Sequence, residues 1–131
     1  MPLGLSSSAV ITPFLNALRG SAAWSTIPSG LYVKLHIGDP GVGAGAPAAG
    51  SVTRVVVALT APAGNAIAIS GTAPLWTNGG TTETLTHISI WDALTAGNFL
   101  WSAILTASQS WSTGNTFTLT SLGVALAPVA A

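Results

Sequence analysis

The chain has 131 residues, enough for one domain with one core. Hydrophobic residues make up 49% and charged residues only 5%, with a formal net charge of +0, where an ordinary globular domain carries about a quarter charged residues. Arg19, Lys34 and Arg54 are the whole basic inventory and they are scattered, which excludes a nucleic-acid face and a polybasic membrane anchor; the absence of cysteine excludes disulfides, thiolate metal sites and thiol nucleophiles.

A surface so poor in charge is a poor recipe for a free monomer, since solubility normally leans on net charge. It is expected to be covered by like subunits or a larger lattice, and wetted elsewhere by uncharged Ser, Thr, Asn and Gly. The mean hydropathy of +0.63 comes from Ala and Val dispersed among Ser, Thr and Gly. No apolar run reaches the ~18 to 20 residues a membrane helix needs. Met1 to Ser8 hold no Lys or Arg, and Arg19 falls after the apolar stretch, so no signal peptide is expected.

The first predicted element is a short helix. Thr12 suits the N-cap, Pro13 the first turn and Gly20 the C-terminus, with a start as early as Ser7 left open. Phe14, Leu15 and Leu18 form an apolar stripe at helical spacing, and Arg19 meets the negative end of the helix dipole. So short a helix must dock on something to persist.

After Pro28, Ser29 and Gly30 the period becomes two. Leu31, Val33, Leu35 and Ile37 alternate with Tyr32, Lys34 and His36, a half-buried strand that ends in the turn Gly38-Asp39-Pro40-Gly41. Residues 41–51, GVGAGAPAAGS, are low in complexity and read as a mobile loop, or an arm that orders against a neighbour. Further strands are predicted at Arg54–Leu59, around Ile67 and Ile69 after a Gly64-Asn65 turn, and at Leu75-Trp76 before Asn78-Gly79-Gly80. Others follow at Leu85–Asp92, Phe99–Thr106, Thr116–Thr120 with Phe117 and Leu119 inward, and from Leu122 through Val124 to Leu126. Short strands at such spacing, with no long crossover helix, predict a mainly β fold: an antiparallel sandwich or barrel, jelly-roll-like, with one short N-terminal helix. The whole chain is read as one domain, with residues 1–28 as an N-terminal helical segment. Ser and Thr on the outer faces leave the strand edges without their usual Lys or Glu guards, a hint of assembly.

The titratable inventory is His36, His87, Asp39, Glu83, Asp92 and the single Tyr32. His36 and Asp39 are near enough for an acid–base pair or half a metal site, but an outward strand histidine beside a turn aspartate explains them, and that reading is adopted. His87 and Asp92, five positions apart, point to opposite faces of a regular strand; His87 is expected to pack beside Trp91 and Asp92 to cap the following turn. No G-x-S-x-G elbow is present, the Gly-rich loop lacks a phosphate-binding Lys, and no carboxylate is spaced to join the histidines on a metal. No catalytic, cofactor or metal site is expected. The five tryptophans are Trp24, Trp76, Trp91, Trp101 and Trp111. Trp24, Trp76, Trp101 and Trp111 are candidates for core and subunit contacts. Trp111, between serines, is the best candidate for exposure, and sugar stacking by exposed Trp is the rival use.

The order of these pieces resembles a family of small tailed-phage virion proteins. They are described as tail-fibre-like, head-fibre or capsid-decoration proteins and are frequent in phages of actinobacteria. The resemblance rests on Leu35-His36-x-x-Asp39-Pro40-Gly41, Arg54 with its Val-rich strand, Thr86-His87, Trp91-Asp92-Ala93, Gly97-Asn98-x-Leu100, Leu105-Thr106-Ala107 and Gly114-x-Thr116-Phe117. It spans about Thr12 to Leu126. The chain departs from the family pattern at Val52, where an aromatic is frequent, and at Asn115, where Asp is favoured.

The resemblance implies a non-catalytic, often oligomeric virion component, with His36, Asp39, Pro40, Gly41, Arg54, His87, Trp91 and Asp92 as structural signatures. In one account the two turns sit together and both histidines satisfy buried backbone groups. The expected role is capsid decoration on the outer face of the head, as a trimer, with a tail-fibre or receptor-binding module for host glycan as the alternative. Expected partners are copies of itself and the major capsid or tail proteins, without nucleic acid or membrane. The expected location is the virion, assembled in the host cytoplasm.

Overall fold

The β-branched and alternating runs do form strands, and every strand pair is antiparallel. The computed structural model describes residues 4–21 and 30–125; Trp24, the Pro28-Ser29 pair and Leu126 lie outside the described residues. In chain order the elements are β1 (Gly4–Leu5), a π-helical turn (Ser7–Ile11), α1 (Thr12–Leu18), β2 (Leu31–His36), β3 (Val55–Leu59) and β4 (Ala66–Ser70). Then come β5 (Leu75–Thr77), β6 (Glu83–Trp91), β7 (Phe99–Trp111), β8 (Thr116–Thr118) and β9 (Gly123–Ala125).

Seven strands make one curled sheet in the order β1-β7-β6-β2-β3-β4-β9, and β5 and β8 make a separate two-stranded ribbon. The fold is mainly β with one short helix near the N-terminus. Its second layer is that ribbon rather than a second broad sheet. Trp76 and Phe117, paired across the ribbon, pack on the same core as Val33, Leu35, Leu85, Ile88 and Ile90 of the large sheet. Burying each such aliphatic side chain contributes about 1.5–3 kcal/mol. The β3–β4 hairpin turns where both Gly64 (φ 57) and Asn65 (φ 63) take left-handed backbone, the geometry that suits the twist of a hairpin.

Several expectations are corrected. The N-terminal cap is Ser6, not Thr12: its hydroxyl accepts the Ala9 N–H, and the wide turn closes through Ile11 N–H to Ser6 O at 2.9 Å. Thr12 is already helical, and α1 buries none of its residues. β7 runs to Trp111 instead of stopping at Thr106. Between Gln109, opposite Leu85, and Ile104, opposite His87, its four residues face the single Thr86, a wide bulge that interrupts the expected period. Trp111, expected to be exposed, is only 2% exposed, as is Trp76, so both are core residues rather than interface candidates. Serines flank Trp111, but its indole N–H is taken inward by Glu83 at 3.1 Å.

Candidate functional site

The expected chemistry-bearing residues converge on the outer face of the sheet, the face opposite the main core. Tyr32, Lys34 and His36 of β2 lie opposite Trp91, Ser89 and His87 of β6. The alternation is as predicted, but the face it defines is covered. Residues 41–45 fold back over it, with Gly43 against Trp91 and Gly45 O on His36, so the low-complexity loop is tied to its own chain and not an arm reaching to a neighbour. Residues 46–48 then run along the edge of β2, where Ala48 N–H donates to Leu35 O at 3.1 Å and Ile37 N–H to Ala46 O at 2.9 Å, and Ala48 is fully buried in the main core.

His36 is therefore wholly buried, not outward. Its Nδ1 lies 2.7 Å from Gly45 O and its Nε2 2.7 Å from Ser89 Oγ. Trp91 Nε1–H donates to the same Ser89 oxygen at 2.8 Å. Burial holds the His36 imidazole below its ordinary pKa, with nearby Lys34 and His87 pushing the same way and the backbone carbonyl of Gly45 opposing.

Trp91 is enclosed on several sides. Phe99 meets it edge-on at 5.9 Å, and the Arg54 guanidinium stacks 3.8 Å from the ring centroid, a contact worth about 0.5–2 kcal/mol. Gly43 passes so close that a Cβ there would sit 2.5 Å from Trp91 Cζ2. Arg54 also donates to Ala93 O at 2.8 Å and Ala96 O at 2.6 Å, pinning the turn in which Ala96 takes a left-handed φ of 53. Asp92 closes the same turn, as expected, accepting Asn98 N–H at 2.7 Å and Asn98 Nδ2–H at 2.8 Å. Asp39 accepts Gly41 N–H at 2.8 Å, a turn role at the foot of Pro40.

His87 departs from the expected packing. It stands directly opposite His36 in the sheet, but its Nδ1 contacts Thr86 Oγ1 at 2.7 Å, and Ser89 stands between it and Trp91. Of the two histidines, His36 meets a backbone carbonyl, and among the described residues His87 meets none.

Three residues carry roles that periodicity did not reveal. The Glu83 carboxylate accepts Ala49 N–H at 3.0 Å, Gly50 N–H at 2.8 Å and the Trp111 indole. Asn78, 1% exposed, donates to Thr81 O at 2.8 Å and Trp111 O at 3.2 Å and accepts Gly80 N–H at 2.8 Å. Ser89 joins His36 to Trp91. Only Asn78 had a readable signal, as the first residue of an Asn-Gly-Gly turn.

Chemically, each acid is spent on the fold: Asp39 on its own turn, Asp92 on Asn98, Glu83 on loop amides. Among the described residues no group of three or more His, Asp or Glu is placed to hold a metal ion. Stacking of sugar on Trp76 or Trp111 is closed by burial, and one face of Trp91 is taken by Arg54. Trp101 is half-buried in the sheet with its indole N–H unpartnered among the described residues.

No curated protein is significantly similar to the chain. A family model described as podophage GP4 fiber I protein gp80 matches residues 6–127, from the Ser6 cap past the end of β9. With that match spanning nearly its whole length, the chain belongs to the family of the podophage GP4 fiber I protein gp80, a family of fibre-like phage virion proteins.

Proposed function

We propose that this chain is a non-catalytic building unit of a fibre on a phage particle, assembled in the host cytoplasm from copies of itself and seated on tail or capsid proteins. The observation that carries this reading is how the polar side chains are used. His36, Asp39, Arg54, Glu83 and Asp92 all bind backbone atoms of the chain's own loops. Side chains spent on holding a shape suit a structural part. The fibre family supports the same reading, and the charge-poor surface suits contacts between copies.

The test is to find a tagged copy on intact particles by gold labelling and electron microscopy. Label on fibres or at the tail is the expected outcome. Label lying evenly on the shell of the head, with none on projecting fibres, would overturn the fibre reading and favour capsid decoration.

A further inference from the structure

We propose that the Asn78-Gly79 pair is a site of spontaneous deamidation that the native fold keeps shut, and that conversion of Asn78 bars a chain from folding. The inference stands apart from the fibre reading and does not depend on it.

The chemistry starts in the sequence. Of the five asparagines, Asn16, Asn65, Asn78, Asn98 and Asn115, only Asn78 is followed by glycine. A residue without Cβ leaves its amide nitrogen unshielded and its backbone free to turn. In an open chain the Gly79 nitrogen therefore reaches the Asn78 side-chain carbon. Its bond to Cγ forms, the Cγ–Nδ2 bond breaks, and the proton leaves with the amide nitrogen as ammonia. Water then opens the five-membered imide at either carbonyl. The product is aspartate, or isoaspartate with the main chain rerouted through the side chain. Overall, an amide and water give an acid and ammonia.

The fold holds both reacting atoms. Gly79 N–H donates to Gly50 O at 2.8 Å. Asn78 Nδ2 donates to Thr81 O at 2.8 Å and to Trp111 O at 3.2 Å, and Oδ1 accepts Gly80 N–H at 2.8 Å. The main chain of Asn78 is paired as well, its N–H with Asn115 O at 2.8 Å and its carbonyl with Gly114 N–H at 2.7 Å. Gly50 lies so close over the side chain that a Cβ there would collide with the Asn78 amide. At 1% exposure, Asn78 is also shut off from the water that the second step consumes.

The same contacts reject the product. Thr81 O and Trp111 O are both acceptors, and a carboxylate offers them no hydrogen. A buried charge facing two carbonyls is strongly disfavoured. Isoaspartate adds a main-chain carbon and moves Gly79 N–H off Gly50 O. This junction ties the β5–β6 connection to the buried end of β7 at Trp111, and to the loop through Gly50 that Glu83 also holds. A converted chain thus loses a corner of the core. The pair acts as a one-way record of time spent unfolded.

The test ages the purified full chain in mildly alkaline buffer, with and without guanidinium chloride, and follows Asn78 by peptide mass mapping. In denaturant Asn78 is expected to convert ahead of the other four asparagines. In the folded chain it should convert at least about 100-fold more slowly, since reaction must wait for a clamped segment to open. After the denaturant is diluted out, unconverted chains should refold and converted ones should not, as separated by size-exclusion chromatography. Gly79→Ala provides an independent check. Gly79 is not in left-handed backbone, and a Cβ there would meet only Gly50 O, at 3.9 Å, so the variant should fold. Its methyl group shields the nitrogen, so it should convert several-fold more slowly in denaturant and keep its refolding yield. Conversion of Asn78 in the folded chain at the rate seen in denaturant, recovery of the wild-type melting midpoint by converted chains, or ageing of Gly79→Ala as fast as the wild-type chain would each overturn the proposal.

Discussion

The 2.7 Å contact between His36 Nδ1 and the carbonyl oxygen of Gly45 decides which ring nitrogen carries the proton. Gly45 O can only accept, so Nδ1 holds the hydrogen. Nε2 then accepts the Ser89 hydroxyl, whose oxygen accepts the Trp91 indole N–H. Protonating Nε2 would turn the serine hydrogen away into a buried site.

This arrangement makes stability depend on acid. The folded pKa of His36 lies below the ordinary histidine value of 6.5, so below that pH the unfolded chain binds more protons than the folded one. The contribution is intact above about pH 6.5 and is lost as pH falls from there toward the folded pKa. Thermal midpoints at pH 7.5 and pH 5 should show a steeper acid loss for the wild-type chain than for His36→Gln. The variant should start about 1–3 kcal/mol lower from its broken buried hydrogen bonds. Equal slopes in the two proteins would refute the assignment.

Arg54 holds a strained turn as well as an aromatic ring. Arg54→Ala should cost about 2–4 kcal/mol in urea denaturation, from two charge-assisted bonds and the stack on Trp91. Arg54→Lys should recover only part, because a point charge cannot both stack flat and fork to two carbonyls. Full recovery by Lys would mean that charge alone is at work.

Gly43 and Gly41 separate crowding from backbone strain. Both have positive φ, 102 and 60, but an added Cβ at Gly41 would meet nothing within 4 Å. Gly41→Ala should cost about 1 kcal/mol. Gly43→Ala should cost at least about 2 kcal/mol more, since Trp91 and Phe99 must move. Comparable midpoints for the two variants would show that the loop does not lie flush on the rings.

Glu83 is expected to govern loop opening. In Glu83→Gln one oxygen becomes a donor facing other donors, at a cost of about 1–3 kcal/mol. Hydrogen exchange should quicken at the Ala49 and Gly50 amides before it quickens in β6. Unchanged protection at those two amides would remove Glu83 from this role.

Much of the sheet was legible because its signals are local. Alternation marked β2 and β6, and Gly64-Asn65 and Asn78-Gly79-Gly80 marked turns by their backbone needs. What alternation cannot say is whether a face is wet. It put His36 on the face opposite Leu35, correctly, but that face is roofed by residues 41–45, and a composition of Gly and Ala looks the same in a free loop as in a close-fitting one. Trp111 was misread for a related reason: its serine neighbours suggested solvent, while its partner Glu83 lies on another strand. The wide bulge in β7 breaks the period at Leu105 to Ser108, so the strand's second half left no pattern to follow.

The loop over the outer face is held almost wholly by main-chain atoms: the carbonyls of Gly45 and Ala46, and the amides of Ala48, Ala49 and Gly50. Such a grip is blind to side-chain identity wherever the residue points outward. Val42 and Ala44 are exposed there, while Gly43 and Ala48 are enclosed. The outward positions are thus free to drift, or to be re-engineered as an epitope or a peptide tag, while the inward ones must stay small, so that this face of the protein could diversify without any change in the frame beneath it.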